Sequence, residues 1–269
     1  MPARILQIAG WLLITVPWVG QCSSEYLTPD QMSEASFLET VSIPTPGEFF
    51  LALDKQCQPN WSKLVRSSVS ASPSDREHLA LQLGILWTDG FMGIEAQDGQ
   101  GVKNTARDIL LLAKKLNVGQ HILARSQSIS DFADAGDWRR LREELNAMHN
   151  DIRLSLLEQK DSQLVVVALA GSWVRQMEIG SRLLSSGENP GATALLSQAE
   201  LSSRILSSLE NFPENSKRKA IIRQLMECLR TSTSLMSASP FFFSPSVLRE
   251  MADCTAALTS APDATDPKK

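Results

Sequence analysis

The chain has 269 residues and a formal net charge of -4, with 26 Lys and Arg against 30 Asp and Glu. This mildly acidic balance, without a basic stretch interleaved with aromatic residues, excludes an electrostatic basis for nucleic-acid binding. Few aromatic side chains and many Leu, Ala and Ser residues favour helices over sheets. The length allows a substantial core, in one large or two small helical domains.

Residues 1–21 have the layout of a secretory signal peptide. Arg4 supplies a positive charge, residues 5–20 form an apolar block, and small or polar residues follow. We therefore expect the protein to be exported, with residues 1–21 outside the fold.

Cys22 directly follows this segment and resembles the lipid-attachment cysteine of bacterial lipoproteins. Val19 and Gly20 fit the small apolar residues that precede the cut in that family, whereas Gln21 stands where the family usually has Gly or Ala. Three outcomes stay open: acylation of Cys22, ordinary cleavage near residues 21–24, or an uncleaved N-terminal anchor. Each places the protein in the periplasm or cell envelope, with membrane contact only through the N-terminus.

Residues 22–44 are polar and predict a stalk with one short helix, and residues 261–269 predict a disordered tail. Between them, residues 45–260 carry apolar side chains at helical spacing and no alternating strand pattern. The predicted fold is all-α, a multi-helix bundle of packed antiparallel hairpins. The predicted helices cover residues 46–56, 74–96, 104–117, 121–134, 138–160, 164–184, 190–211, 214–237 and 245–258.

Helix starts are marked by capping residues. Thr45 with Glu48 and Ser74 with Glu77 have the spacing of capping boxes. Asp137 and Ser244 are expected to cap two later helices. The glycine-rich residues 98–101 predict a break in the chain before the helix that begins at residue 104.

The segment from Leu164 to Leu184 is the most apolar stretch after the N-terminus. Charged residues interrupt it after about ten positions, whereas a membrane span needs roughly 20 apolar residues, so we interpret it as a core helix.

Glycines recur at one offset along the chain. Gly84 and Gly93 lie 87 positions before Gly171 and Gly180. This spacing suggests two related halves, residues 74–160 and 161–260, each with a glycine-bearing inner helix that a neighbour approaches closely. Chance recurrence of glycine in tightly packed helices is the alternative.

The cysteines are informative because an exported chain can form disulfides. Cys228 and Cys254 flank a predicted turn symmetrically, which predicts a disulfide between them worth roughly 3 kcal/mol by loop entropy. The alternative is two free, buried thiols. Cys57 pairs with Cys22 or stays free.

Motifs for common chemistry are missing from the sequence. The three histidines fall on three predicted helices, and none has a second His or Cys three or four positions away, so we expect no metal site. A covalent haem motif, a phosphate-binding glycine loop and a nucleophile elbow are also absent. We therefore expect no cofactor and no enzymatic activity.

Charged residues interrupt both apolar core helices. Asp89 and Glu95 lie in the first, and Arg175, Glu178 and Arg182 lie in the second. If the helices pack side by side, a carboxylate of the first could meet an arginine of the second and bind an anionic or zwitterionic ligand. The alternative is that the three residues of the second helix form ordinary intrahelical pairs on a half-exposed face.

Two functions follow from these observations. The first is an exported, envelope-associated scaffold or interaction module that binds an unidentified protein partner. The alternative is a small-ligand-binding or sensor-like bundle with its site between helices 79–96 and 164–184.

Overall fold

A computed structural model describes residues 44–66, 75–119, 122–187, 189–239 and 242–260, and these residues fold only into helices and connecting turns. The all-α prediction is confirmed. The predicted signal peptide, Cys22, the stalk and the tail lie outside the described residues. The α-helices are α1 (Pro46–Cys57), α2 (Arg76–Glu95), α3 (Gly99–Lys115), α4 (Leu123–Ala135), α5 (Trp138–Glu158), α6 (Ser162–Leu184), α7 (Ala199–Glu210), α8 (Glu214–Lys217), α9 (Ala220–Ala238) and α10 (Pro245–Thr259), with 3₁₀ turns at Trp61–Lys63 and Pro190–Leu196.

Side-chain caps fix the predicted starts of α1, α5 and α10. The capping box of Thr45 and Glu48 is formed at α1, and the side chains of Asp137 and Ser244 cap α5 and α10. At α2 the prediction is off by one residue, because Asp75 accepts the hydrogen bond from the main-chain N–H of His78.

Two predicted helices are divided in the structure. Residues 190–211 form a 3₁₀ turn and then α7, because the Gln198 side chain donates to the carbonyl of Leu195 and accepts from the indole of Trp173. Residues 214–237 divide into α8 and α9 at Lys219, whose backbone is extended and whose ammonium group pairs with Glu77 on α2.

Residues 98–101 were predicted to break the chain before the next helix, but in the structure that helix begins within them. The Asp98 carboxylate accepts a hydrogen bond of 2.8 Å from the main-chain N–H of Gly101. This cap starts α3 at Gly99, five residues earlier than predicted.

Helices α2 and α6 cross in backbone contact at the centre of the fold. A Cβ atom on Gly84 would lie 1.8 Å from the carbonyl oxygen of Ala168, and one on Gly171 would lie 2.3 Å from that of Leu81. Leu81 and Ala168 are themselves 87 positions apart, so the contact is reciprocal under the glycine offset. The relation between two halves and the hairpin pairing stay predictions.

Both ends of this helix pair fix its direction. Arg76 and Asp161, at the starts of the two helices, form an ion pair of 2.7 Å. Asp89 and Arg175, near their ends, form another of 2.7 Å. The two helices therefore run parallel and bring their charged C-terminal halves together.

The segment from Ser162 to Leu184 is buried along most of its length, as expected of a core helix. It packs mainly against α2 on one side and α10 on another. No helix among the described residues combines the length and the apolar character that a bilayer crossing requires.

The predicted disulfide between Cys228 and Cys254 is wrong. Both cysteines lie where α9 and α10 face each other, but both are free thiols, and the Cys254 thiol lies 3.6 Å from the main-chain carbonyl oxygen of Cys228. The hydrogen bond that the Cys228 thiol donates to Cys254, together with burial, raises the pKa of Cys228 and so stabilises its protonated form. Cys57 is also a free thiol.

Candidate functional site

Asp89 on α2 lies between two arginines. Its Oδ1 atom accepts a hydrogen bond of 2.7 Å from Nε of Arg175 on α6. Its Oδ2 atom accepts two from Arg66, at 3.1 Å from Nε and 2.8 Å from Nη2. The expected contact between a carboxylate of the first core helix and an arginine of the second is therefore present.

Glu178 continues this set of charges along α6. Its carboxylate accepts hydrogen bonds from Arg175 at 2.7 Å and from the Thr259 hydroxyl at 2.6 Å, and it forms an ion pair of 3.1 Å with Arg182. Arg66 donates a further hydrogen bond of 3.0 Å to the Thr259 carbonyl at the end of α10. We call Arg66, Asp89, Arg175 and Glu178 the ionic cluster.

The alternative interpretation of the sequence placed the charged residues of α6 on a half-exposed face, but two of them are deeply buried. The side chains of Arg175 and Glu178 are each only 4 % exposed, whereas Arg182 is 54 % exposed. Two positive and two negative charges balance inside the cluster. Such burial requires paired, hydrogen-bonded charges, because an isolated buried charge is strongly unfavourable.

Neighbouring charges decide the protonation states in the cluster. Burial by itself would raise the pKa of Glu178, but Arg175, Thr259 and Arg182 outweigh it and hold that pKa below its ordinary value. Burial likewise opposes the charge on Arg175, but Asp89 and Glu178 outweigh it and raise its pKa. Both side chains are therefore charged at neutral pH.

Glu95 does not join the cluster, although it lies on the same helix as Asp89. Its carboxylate pairs with Arg142 on α5 instead. The six positions that separate it from Asp89 direct it to a different neighbour of α2. Of the predicted site residues, the structure thus brings Asp89, Arg175, Glu178 and Arg182 together and leaves Glu95 apart.

Sequence reasoning missed Arg66 and Thr259. Arg66 lies in an irregular segment after a 3₁₀ turn, and Thr259 is the last residue of α10. They reach Asp89 and Glu178 across 23 and 81 positions of sequence. Helical periodicity carries no signal for contacts of this kind.

Beside the ionic cluster lies an open cleft of about 600 Å³. Arg66 and Asp89 belong both to the cluster and to the cleft lining, and the start of α3 also lines the cleft. Its lining residues come from 62–66, α2, the connection to α3 and α3 itself, not from α6, so the cleft is not between helices 79–96 and 164–184 as predicted. The lining residues are Ser62, Val65, Arg66, Asp89, Met92, Gly93, Ala96, Asp98, Gln100, Gly101, Asn104 and Thr105.

Several polar groups of the cleft have unused hydrogen-bonding capacity. Arg66 has five N–H donors, and two of them have no acceptor among the described residues. The Thr105 hydroxyl lines the cleft and has no hydrogen-bond partner among the described residues. One Asp98 oxygen caps α3, and the other has no donor within the described part of the chain.

The cleft therefore presents a fixed guanidinium group, a carboxylate and a hydroxyl around one open volume. In the described residues, no group of His, Cys, Asp and Glu side chains has the arrangement of a metal site. No protein-family model, curated protein or solved structure matches this chain.

Proposed function

We propose that this is an exported helical protein without enzymatic activity, which binds a small anionic or zwitterionic ligand in the cleft beside the ionic cluster. The observation that carries this proposal is Arg66, whose guanidinium group is fixed at the edge of the cleft and keeps two donors without an acceptor in the described part of the chain. The Thr105 hydroxyl on the same cleft supports the proposal, because it has no hydrogen-bond partner among the described residues and is available to a ligand.

The ionic cluster has a definite role in this proposal. Asp89 holds Arg66 through two hydrogen bonds, and Asp89 is held in turn by Arg175 from α6. A guanidinium group fixed in this way loses little conformational freedom when a carboxylate binds to it. The cluster thus holds Arg66 in position to bind an anionic group, although no residue of α6 lines the cleft.

The remaining parts of the proposal depend on the sequence. Export is inferred from residues 1–21, and the absence of enzymatic activity from the lack of catalytic motifs. The polar side chains that line the cleft include neither His nor Cys, the residues that most often supply a general base or a strong nucleophile.

The test is a thermal-shift screen of the chain from residue 22 onward against small carboxylates, sugar acids and zwitterions at millimolar concentration. We expect at least one class to raise the melting temperature in a concentration-dependent way. Thr105→Val should weaken binding of that class because it removes the unpaired hydroxyl and keeps the shape. Thr193→Val, at a buried threonine outside the cleft, should not weaken it.

The screen also distinguishes the two functions. If no class stabilises the protein, the ligand-binding proposal fails, and the envelope-associated scaffold with a protein partner remains. If Thr105→Val leaves a detected affinity unchanged, the ligand binds outside this cleft. Mass spectrometry of the mature N-terminus tests export and acylation, since an unmodified start beyond Cys22 rules out lipid attachment.

A further inference from the structure

We infer that the ligand of this cleft is an amino-acid-type zwitterion, a free amino acid or a short unblocked peptide, with its carboxylate at Arg66 and its ammonium group at Asp98. This inference rests on the proposed function and adds the chemical class of the ligand. It follows from the charges and the unused hydrogen-bonding groups that line the cleft.

The carboxylate position follows from Arg66. Its positive charge is the only one among the lining residues, and one N–H each of Nη1 and Nη2 has no acceptor within the described residues and is available to a carboxylate. Asp89 cannot compete for a cation, because it already accepts hydrogen bonds from both Arg66 and Arg175.

The ammonium position follows from Asp98. One oxygen of this carboxylate accepts from Gly101 and caps α3, and the other has no donor among the residues that the structure describes. A ligand with only negative charge would be repelled by Asp98, and one with only positive charge would provide no acceptor for Arg66. A zwitterion satisfies both groups.

The rest of the lining is suited to the body of such a ligand. Asn104 and Thr105 offer hydrogen-bonding groups, while Val65, Met92 and Ala96 supply apolar surface. The volume of about 600 Å³ lies within the range of ordinary small-molecule sites, roughly 300–1,000 Å³, and accommodates a free amino acid or a short peptide.

Isothermal titration calorimetry tests this inference with the twenty common amino acids and with alanine di- and tripeptides. Each ligand that binds is then compared with its N-acetylated form, which lacks the ammonium group, and with its amide, which lacks the carboxylate. We expect both modified forms to bind at least tenfold more weakly than the free zwitterion.

Asp98→Asn is the matching variant, because asparagine caps a helix about as well as aspartate and removes only the charge. It should bring the affinities of the free and N-acetylated forms within about threefold of each other. Asp134→Asn, which removes a carboxylate outside the cleft that pairs with Lys103, should retain the discrimination.

The outcomes separate the inference from the proposed function. Equal affinity of the free and N-acetylated forms in the unchanged protein overturns the zwitterion inference and leaves ligand binding intact. Binding of simple carboxylates or sugar acids, without binding of any amino acid or peptide, also overturns the zwitterion inference and leaves the proposed ligand binding intact. If neither panel binds, both the inference and the proposed function fail.

Discussion

Substitution of Asp89 by asparagine tests the ionic cluster. The change keeps the size of the side chain and removes the negative charge that lies between Arg66 and Arg175. Asp89 is 13 % exposed and Arg175 only 4 %, so water compensates little for the missing charge. Loss of one partner of a buried pair costs about 3–5 kcal/mol.

We expect Asp89→Asn to lower the free energy of unfolding by about 3 kcal/mol, at the lower end of this range, because Glu178 still pairs with Arg175. Urea unfolding followed by circular dichroism at 222 nm measures the change. In a double-mutant cycle with Arg175→Met, the two losses should sum to more than the loss of the double variant.

The matched control is Glu143→Gln, which removes a carboxylate from an exposed pair with Arg139 on α5. The two side chains are 61 % and 76 % exposed, so the loss should stay below about 0.5 kcal/mol. If Asp89→Asn is no more destabilising than Glu143→Gln, the cluster does not stabilise the fold in the way described.

Three further predictions concern the rest of the fold. Gly84→Ala should destabilise the protein by about 2 kcal/mol or more, because the added methyl group would lie 1.8 Å from a main-chain carbonyl oxygen. Gly191→Ala is the control and should not destabilise it, because there is open space at the added methyl group. Thermal unfolding compares the two variants. Burial and, to a lesser extent, the charge of Arg153 hold the pKa of His149 well below 6.5, so the unfolded state takes up a proton first and the free energy of unfolding should fall as the pH drops below 6.5. Urea unfolding at pH 7.5 and 5.5 measures this fall, and an unchanged fall in His149→Gln would assign it to other groups. Iodoacetamide should label both Cys228 and Cys254 after denaturation without reductant, and an unlabelled pair would mean that they are oxidised.

Local sequence patterns were sufficient for most of the helices. The apolar spacing of Leu141, Leu145, Met148, Ile152 and Leu156 predicted α5, and all five side chains are buried. Errors arose where one side chain competes with the helix for hydrogen bonds. The Asp98 cap places the start of α3 before its predicted position, and the Gln198 side chain lies at the break in a predicted helix. Where a helix begins or ends at such residues depends on individual side-chain contacts, which periodicity does not predict.

The candidate site was predictable in part. A contact between Asp89 and Arg175 was predictable because both are charged residues within apolar helices, and a buried charge needs a partner of opposite charge. The sequence could not indicate that Glu95 pairs with Arg142, that Arg66 pairs with Asp89 or that α3 lines the cleft. These features depend on how distant segments pack, and no local spacing encodes them.

The most direct test of the account is a crystal structure of the protein determined with the ligand that stabilises it most. We predict ligand density in the cleft, with a carboxylate within hydrogen-bond distance of the Arg66 guanidinium group, an ammonium group beside Asp98, and Arg66 still held by Asp89. Ligand density at another surface, or a cleft filled by the protein's own side chains, would contradict the account.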